Sequence, residues 1–254
     1  MKKTLAVKGI TIGEGRPKVC VPMIGSTYEE LMKEAERLST LDIDLVEWRV
    51  DFFESVNDIE QVIQTLTKLR SILAEVPVIF TFRTAREGGE REIAEDEYSI
   101  LYEAIMDSGL VDIVDIELFL IEDQVKELIE FAHARSIYVI LSNHDFEKTP
   151  TKTEIITRLQ KAQELGADIP KIAVMPIQTA DVLTLLEASL EMVEQYADRP
   201  IITMSMSGIG MISRLVGETF GSAITFGTTG KESAPGQIAV EHLRTFLDVL
   251  HKGL

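Results

Sequence analysis

Residues 45–51 read Leu45-Val46-Glu47-Trp48-Arg49-Val50-Asp51, a run in which apolar and charged side chains alternate. Side chains along a β-strand point to opposite faces in turn, so the charged residues share one face and the apolar residues the other. The same alternation recurs at 113–118, with Asp115 and Glu117 as its charged members. A parallel sheet packed between helices has no freely solvated face. We therefore expect the charged face to line an enclosed interior, where charges are costly unless they pair or meet a ligand.

The rest of the chain repeats a rhythm of short β-branched runs followed by amphipathic segments. The predicted strands cover 18–24, 45–51, 78–83, 112–118, 137–143, 171–175, 200–206 and 223–227. The predicted helices cover 27–40, 58–74, 94–108, 122–135, 153–166, 179–197, 210–219 and 236–251. Eight βα units in succession predict an α/β fold with a parallel sheet, and eight is the number that closes a (β/α)8 TIM barrel.

The segments outside this rhythm complete the predicted architecture. Residues 5–13 have the pattern of a small β-hairpin, which we expect to close the barrel bottom. An open doubly wound sheet is the alternative, but residues 21–26 at the end of the first strand carry no Gly-rich dinucleotide fingerprint. A chain of 254 residues has the length of one barrel, so we predict a single catalytic domain over residues 1–254.

Composition and charge argue against several classes of partner. The chain has 42 acidic and 25 basic residues and a formal net charge of −17, so nucleic acid and anionic membranes are poor partners for its surface. Its one cysteine, Cys20, makes no intrachain disulfide and lies in an apolar run. We find no apolar stretch long enough to span a bilayer and no signal-peptide pattern after Met1. We therefore expect a cytoplasmic protein.

Lys171 stands among apolar residues in the predicted strand 171–175. Burying an ammonium group without a partner is costly. A buried lysine has one well-known chemical use, which is to attack a carbonyl as a free amine and form a Schiff base. The alternative interpretation is a strand-end lysine whose ammonium group reaches water.

Barrel enzymes place their chemistry at the carboxyl ends of the strands, and His144 is the one histidine of four that lies at such an end. An imidazole that titrates near neutral pH can take a proton from the carbon beside an iminium. We therefore predict that His144 lies within reach of Lys171, although it could also serve only to cap a loop. A metal site is disfavoured, because no other histidine lies at a predicted strand end and Arg49 and Arg83 would compete with a cation.

Two later segments are candidates for substrate binding. Gly208-Ile209-Gly210, followed by Arg214, follows the seventh predicted strand and could capture an anion through backbone amides and a guanidinium. The loop 228–237 is small, polar and bracketed by glycines, as in a lid whose Ser233 and Gln237 bind substrate hydroxyls. The alternatives are an ordinary loop and a plain mobile connection.

Taken together, these segments make the chain resemble the type I 3-dehydroquinate dehydratases over essentially its whole length. The matching segments are Glu47-Trp48-Arg49-Val50-Asp51, Phe82-Arg83-Thr84, Ser142-Asn143-His144-Asp145-Phe146, Pro170 to Pro176, Met204-Ser205-Met206-Ser207 with Gly210 and Ser213-Arg214, and Ser233-Ala234-Pro235-Gly236-Gln237. Each segment alone is a weak signal, and their order and spacing make the resemblance specific.

The resemblance implies a lyase without cofactor or metal, usually a homodimer, that converts 3-dehydroquinate to 3-dehydroshikimate by syn elimination in the shikimate pathway. It implies that Lys171 forms the Schiff base, that His144 moves the proton and that Glu87 orients His144. It further implies that Arg214 binds the substrate carboxylate. The remaining implied pocket residues are Glu47, Arg49, Arg83, Ser233 and Gln237, around the hydroxyls, and Met204, Met206 and Phe226, as an apolar wall. We expect the pocket guanidiniums to favour the uncharged amine of Lys171.

Two other functions stay open from the residues alone. A class I aldolase would share Lys171 but would not need the segment 233–237. A non-catalytic sugar-acid sensor on the same scaffold would bind its ligand without needing Lys171 and His144 together.

Overall fold

A parallel β-barrel surrounded by helices forms the molecule, in a computed structural model that describes residues 4–230 and 232–254. Residues 1–3, which begin the segment searched for a signal peptide, and Lys231, in the predicted lid, lie outside the described residues. The barrel strands are β3 (Lys18–Met23), β4 (Leu45–Arg49), β5 (Val78–Thr81), β6 (Ile113–Glu117), β7 (Tyr138–Asp145), β8 (Ile169–Val174), β9 (Ile202–Ser205) and β10 (Ile224–Thr228).

The sheet closes on itself. Strands β3 to β9 pair in chain order, and β10 pairs with the free edge of β3. A parallel bridge joins Ile201 and Ser222, which precede β9 and β10, and the amide of Ala223 donates to the carbonyl oxygen of Ile201 over 2.8 Å. The predicted (β/α)8 TIM barrel is therefore confirmed. One further short strand, β11 (Ile238–Ala239), pairs in parallel with the end of β10.

Helices follow the strands and cover the outside of the barrel. They are α1 (Tyr28–Leu38), α2 (Ile59–Leu73), α3 (Glu95–Asp107), α4 (Glu122–His133), α5 (Lys152–Glu164), α6 (Thr179–Glu191), α7 (Ser207–Gly210), α8 (Gly217–Phe220) and α9 (Val240–His251). Thr27, Asp58 and Thr151 begin three of them, each with a side-chain oxygen that accepts a hydrogen bond from the amide three residues on. Such caps satisfy amides that a helix start leaves unpaired. No helix in the described part of the chain has the length and apolarity needed to cross a bilayer.

Predicted strand boundaries, and those of the first five helices, agree with the structure to within two residues, whereas three later helices differ. The helix predicted over 179–197 ends as a π-helical turn at Met192–Tyr196. The helix predicted from residue 236 begins at Val240, because β11 occupies the two residues before it.

The segment predicted as one helix over 210–219 consists of separate short turns. The hydroxyl of Ser213 accepts from the amide of Ser205 at 2.9 Å and donates to the carbonyl of Gly210 at 2.7 Å. These contacts tie the segment to the end of β9, so its backbone follows the barrel rim in place of a continuous helix.

The apolar face of each strand packs on the helices, as the alternation predicts. Val46, Trp48 and Val50 are fully buried in the cluster between sheet and helices. The ring of Trp48 meets that of Phe80 edge to face at 5.9 Å. This outer core leaves the charged face of β4 to point into the barrel.

A lower layer of apolar side chains fills the bottom of the barrel interior. It has one residue from each barrel strand: Cys20, Leu45, Ile79, Ile113, Ile140, Ile169, Ile202 and Ile224, all at most 1% exposed. The antiparallel hairpin of β1 (Leu5–Val7) and β2 (Ile10–Ile12) packs Leu5, Val7 and Ile12 against this layer. The predicted closure of the barrel bottom by the hairpin is confirmed.

An upper layer begins two residues further along the strands. Because side chains alternate, these residues also face the interior. The upper layer is Glu47, Thr81, Asp115, Ser142, Lys171, Met204 and Phe226. Its members are mostly polar or charged, so the barrel interior changes from apolar to polar over two residues of each strand.

Candidate active site

A pocket lies at the carboxyl ends of the strands and reaches into the upper layer. All the residues predicted for the site line it: Glu47, Arg49, Arg83, Glu87, His144, Lys171, Met204, Met206, Arg214, Phe226, Ser233 and Gln237. Gly88, Phe146, Ala173 and Ala234 complete the lining. The structure thus brings together residues that are spread over 190 positions of sequence, from 47 to 237.

Lys171 lies on β8 and holds its ammonium group inside the barrel, with only 5% of the residue exposed. Its Nζ donates to Oδ2 of Asp115 at 2.7 Å and lies 3.8 Å from Oε1 of Glu47. The same nitrogen lies 4.7 Å from the centroid of the Phe226 ring. Its predicted burial is confirmed, but the charges in contact with it are carboxylates. The expectation that guanidiniums favour its uncharged form stays a prediction, and the charged groups within 4 Å of Nζ are the carboxylates of Asp115 and Glu47.

Asp115 is a fully buried acid of the upper layer. Its Oδ1 accepts from Nη2 of Arg83 at 2.7 Å and from the hydroxyl of Ser142 at 2.5 Å, and its Oδ2 accepts from Lys171. Burial alone would raise the pKa of Asp115, but the charges of Arg83 and Lys171 and these hydrogen bonds outweigh it and lower the pKa to about 2. The carboxylate therefore stays charged across the physiological pH range.

His144 lies near the end of β7 and is held by Glu87. The Nδ1 atom lies 2.9 Å from Oε2 of Glu87, and the backbone amide of His144 donates to the same oxygen at 2.9 Å. The side-chain amide of Asn143 donates to the other oxygen at 3.2 Å. Because these donors already point at the carboxyl group, Nδ1 is best satisfied as a further donor, and the assigned tautomer leaves Nε2 as an acceptor.

The pKa values of this pair shift in opposite directions. Burial and the positive charges of Arg83, Lys171 and Arg49 lower the pKa of His144 well below its usual value. Burial raises the pKa of Glu87 to about 8, opposed by Arg83 and reinforced by Glu117. Both shifts favour the uncharged form, so the pair gains negative charge only as pH rises through the pKa of Glu87.

Arg49 and Arg83 line the pocket but are already bound to acids. Arg49 donates two hydrogen bonds of 2.8 Å to Asp51. Arg83 binds Asp115 and, at 3.1 Å, Glu117. Two-point pairing of this kind holds a guanidinium in one orientation, so these arginines organise the acidic half of the pocket.

Arg214 differs from both, because no carboxylate among the described residues lies within 4 Å of its guanidinium. Its Nη2 donates to the carbonyl of Pro235 at 3.1 Å, and its Nη1 lies 3.7 Å from Sδ of Met204. Its Nε has no hydrogen-bond partner among residues 4–230 and 232–254. Burial lowers the pKa of Arg214 to about 10, partly offset by the charge of Glu232. A buried cation with spare donors is a ready partner for an anion.

The glycine segment before Arg214 has a packing role. A Cβ on Gly210 would lie 2.4 Å from the backbone of Ser205, and the amide of Ser207 donates to Pro235. Of the segment predicted to capture an anion, Arg214 lines the pocket and Gly208–Gly210 do not.

The loop after β10 contributes one side of the pocket. Ser233 and Gln237 bind each other, with the Gln237 side-chain amide donating to the Ser233 hydroxyl at 3.0 Å and its oxygen accepting from the Ser233 amide at 2.9 Å. Both line the pocket with Ala234 between them in sequence. The two side chains predicted to bind hydroxyls are therefore present at the site, on a short hydrogen-bonded turn.

The sequence reasoning placed Asp115 on the inward face but gave it no part in the site. Alternation along a strand shows on which face of the sheet a side chain lies. It does not show which side chain of another strand it contacts inside the barrel. A usable signal was present, because Asp115 and Lys171 each follow a lower-layer isoleucine by two residues, Ile113 and Ile169. Residues at the same height in a barrel are candidates for contact.

Comparison with known proteins gives a consistent result. A family model described as type I 3-dehydroquinase matches residues 19–253. The chain is 59% identical to a 3-dehydroquinate dehydratase of Bacillus licheniformis and 55% identical to one of Clostridioides difficile, each over 254 residues and 100% of both chains.

Solved structures agree with the sequence matches. A crystal structure of type I 3-dehydroquinate dehydratase from Clostridium difficile, with covalently modified comenic acid, has a TM-score of 0.98 at 55% identity and 100% coverage of both chains. The 3-dehydroquinate dehydratase of Enterococcus faecalis has a TM-score of 0.91 at 44% identity, covering 96% of this chain and 98% of that one.

Proposed function

The chain belongs to the type I 3-dehydroquinase family, and from this we propose that it is a lyase that removes water from 3-dehydroquinate to give 3-dehydroshikimate. This is the third step of the shikimate pathway toward chorismate and the aromatic amino acids. We propose that the reaction is a syn elimination through a Schiff base on Lys171, without cofactor or metal. The same proposal includes one catalytic domain over residues 1–254, a homodimer and a cytoplasmic location.

The observation that supports this best is the convergence of three chemically distinct groups in one pocket. A buried lysine, a histidine paired with a glutamate and an arginine that has no carboxylate partner in the described part of the chain all line it. They match the ketone, the acidic hydrogen and the carboxylate of 3-dehydroquinate.

Lys171 starts the reaction as an amine. The ammonium of Lys171 first gives up a proton, and the resulting amine attacks the ring ketone. The ketone oxygen takes up two of the three ammonium protons and leaves as water, and a positively charged iminium links the substrate to β8. That iminium withdraws electrons from the neighbouring carbon, as a bound cofactor would. The apolar surfaces of Met204, Met206 and Phe226 shield the new bond from water, which slows its hydrolysis.

His144 then moves the proton. The imidazole takes a proton from the carbon beside the iminium, and the electron pair moves into the ring to form an enamine. The enamine expels the hydroxyl group from the next carbon, and the same imidazole protonates that group as it leaves as water. A water molecule then hydrolyses the remaining iminium, which releases the product and restores Lys171. One histidine performs both transfers, so the hydrogen and the hydroxyl leave from the same face. Glu87 orients the imidazole throughout.

The remaining pocket residues hold the substrate. Arg214 binds the carboxylate through its unsatisfied donors. Glu47, Arg49, Arg83, Ser233 and Gln237 surround the hydroxyl groups and fix the ring so that the reacting hydrogen faces His144.

Borohydride reduction in the presence of 3-dehydroquinate tests the Schiff base, followed by intact mass and peptide mapping. We expect one adduct per chain, on the peptide that contains Lys171. Lys171→Ala should lose the adduct and reduce turnover by a factor on the order of 10⁴ or more, as loss of a nucleophile does, while its circular dichroism and thermal midpoint stay close to those of the unmodified protein.

Lys161→Ala provides the matched control, because Lys161 lies on the surface of α5 and is half exposed. It should keep both adduct and turnover. Turnover without an adduct would refute the Schiff base and leave an enolate route. Absence of both, in the presence of tight ligand binding, would favour a binding protein instead.

A further inference from the structure

One buried carboxylate of the upper layer contacts the nitrogen at which the proposed chemistry starts. Asp115 accepts a 2.7 Å hydrogen bond from Nζ of Lys171. Within residues 4–230 and 232–254 it is the only acid at hydrogen-bond distance from that nitrogen, since Glu47 lies 3.8 Å away.

The charge on the lysine nitrogen is the same before and after Schiff-base formation. An ammonium and a ketone combine to give an iminium and one water, so one positive charge stands on each side of the equation. Of the three N–H bonds of the ammonium, one remains in the iminium, and the other two protons leave with the ketone oxygen as water. An anion placed to pair with the ammonium is therefore also placed to pair with the iminium.

We propose that Asp115 is a further catalytic residue, the fixed counterion that pairs with the ammonium of Lys171 and then with the N–H of the iminium. The inference rests on the proposed Schiff-base chemistry and adds the group that keeps the imine nitrogen protonated. Only a protonated imine draws electrons strongly enough to acidify the neighbouring carbon.

The surroundings of Asp115 suit a fixed anion. Arg83 and Ser142 hold the oxygen that does not contact Lys171. The backbone carbonyl of Asp115 accepts a 2.5 Å hydrogen bond from the hydroxyl of Tyr102, which also accepts from the amide of Phe82. Anchored at both ends, the carboxylate needs no reorganisation when the iminium forms, which is the condition under which a buried charge is most effective.

The ionisation of Asp115 supports the same role. The pKa of about 2 means that the carboxylate does not take the proton from the nitrogen at working pH. It acts through its charge, and the protons that leave the ammonium must reach the ketone oxygen through another group.

Glu117 offers a matched control on the same strand. It is equally buried and also pairs with Arg83, but its other partners are the amide and hydroxyl of Thr84 and it does not contact Lys171. Asp115→Asn and Glu117→Gln thus each remove one buried carboxylate from Arg83, and only the first removes the partner of Lys171.

The first experiment compares these two variants with the unmodified protein. We expect Asp115→Asn to lower kcat about 100- to 1,000-fold, the range typical for loss of one preorganised charge-stabilising group, with little change in KM and a large loss of borohydride-trapped adduct. Glu117→Gln should keep the adduct. Equal adduct and equal kcat in two folded variants would overturn the proposal.

A second experiment reports protonation directly and works on the unmodified protein as well. The C=N stretching band of the imine formed from ¹³C-labelled 3-dehydroquinate shifts in D₂O only if the nitrogen carries a proton. We expect the shift in the unmodified protein from neutral to alkaline pH, and its loss at lower pH in Asp115→Asn. If Asp115→Asn does not fold, an unprotonated imine in the unmodified protein at mildly alkaline pH would overturn the proposal. No imine band at all would refute the Schiff base itself, which is a distinguishable failure.

Discussion

The lower and upper layers of the barrel interior stand on the same strands, two residues apart, and have opposite chemistry. The lower layer is isoleucine, leucine and cysteine, sealed from below by the hairpin of β1 and β2. The upper layer carries two acids, a lysine and two hydroxyl residues. Thr81 donates a hydrogen bond to Glu47, and Ser142 and Lys171 donate to Asp115. A single strand such as β6 therefore supplies Ile113 to one layer and Asp115 to the other.

The difference separates stability from chemistry. Each buried isoleucine contributes about 1.5–3 kcal/mol from burial of apolar surface. Paired buried charges roughly balance their cost of desolvation and contribute little net stability. The lower layer and hairpin therefore stabilise the barrel. The same rigid strands hold the charged side chains of the upper layer in fixed positions.

The largest expected effect comes from the lower side. Ile12→Ala in the hairpin should reduce the free energy of unfolding by about 2–5 kcal/mol, because it leaves a cavity under the barrel. Chemical denaturation measures this, and KM should not change. Ile100→Ala, at an exposed position of α3, should stay within about 0.5 kcal/mol. A KM that changed as much as stability would show that the layers are coupled.

On the pocket side of the barrel we expect a smaller effect, on substrate binding and not on stability. Arg214→Ala should weaken substrate binding by about 1.5–3 kcal/mol, which is a rise in KM of about 10- to 150-fold. Its free energy of unfolding should change far less, because the guanidinium is buried and its Nε has no hydrogen-bond partner among the residues that the structure describes. Arg214→Lys, which keeps the charge, should recover part of the affinity. An unchanged KM in the alanine variant would contradict the assignment of Arg214 to the carboxylate.

The smallest effect concerns the dependence of stability on pH. In the folded protein the pKa of Glu87 is about 8, above its ordinary value of 4.5. Between these values the unfolded chain has released the proton and the folded protein has kept it, so rising pH favours unfolding. Relative to Glu87→Gln, the unmodified protein should lose about 1 kcal/mol of unfolding free energy from pH 6.5 to 7.5.

Denaturation at a series of pH values measures this difference. Glu103→Gln, at an exposed position of α3, provides the control. Loss of a surface carboxylate should leave the difference in unfolding free energy between variant and unmodified protein nearly independent of pH. If the difference in unfolding free energy between Glu87→Gln and the unmodified protein is also independent of pH, Glu87 is already charged in the folded protein at neutral pH.

Much of this arrangement could be predicted from sequence, because it follows from periodicity. The alternation in 45–51 and 113–118 indicates which side chains face inward, and eight strand–helix units indicate a closed barrel. Strand ends then indicate which inward residues lie at the open end of the barrel, and all twelve predicted residues line one pocket. The inward face and the barrel follow from the backbone geometry of strands, whereas the full set of twelve residues came from the resemblance to the family.

The parts that sequence did not predict depend on contacts between distant segments. The pairing of Lys171 with Asp115 depends on the height of two strands that are not neighbours. The acidic surroundings of Lys171 were missed for the same reason, and Asp115 also binds Arg83 through its other oxygen. The short turns around Ser213 follow from its hydrogen bonds to the end of β9, which no local pattern encodes.

Cys20 gives the lower layer a reporter of its own. Its side chain is fully enclosed, and burial raises the pKa of the thiol well above its usual value, so a thiol reagent has no thiolate to attack in the folded protein. Labelling should proceed only when the barrel opens. Because the chain has one cysteine, the rate of its modification reports the rate at which the barrel opens. Mass spectrometry can measure this without any engineered probe.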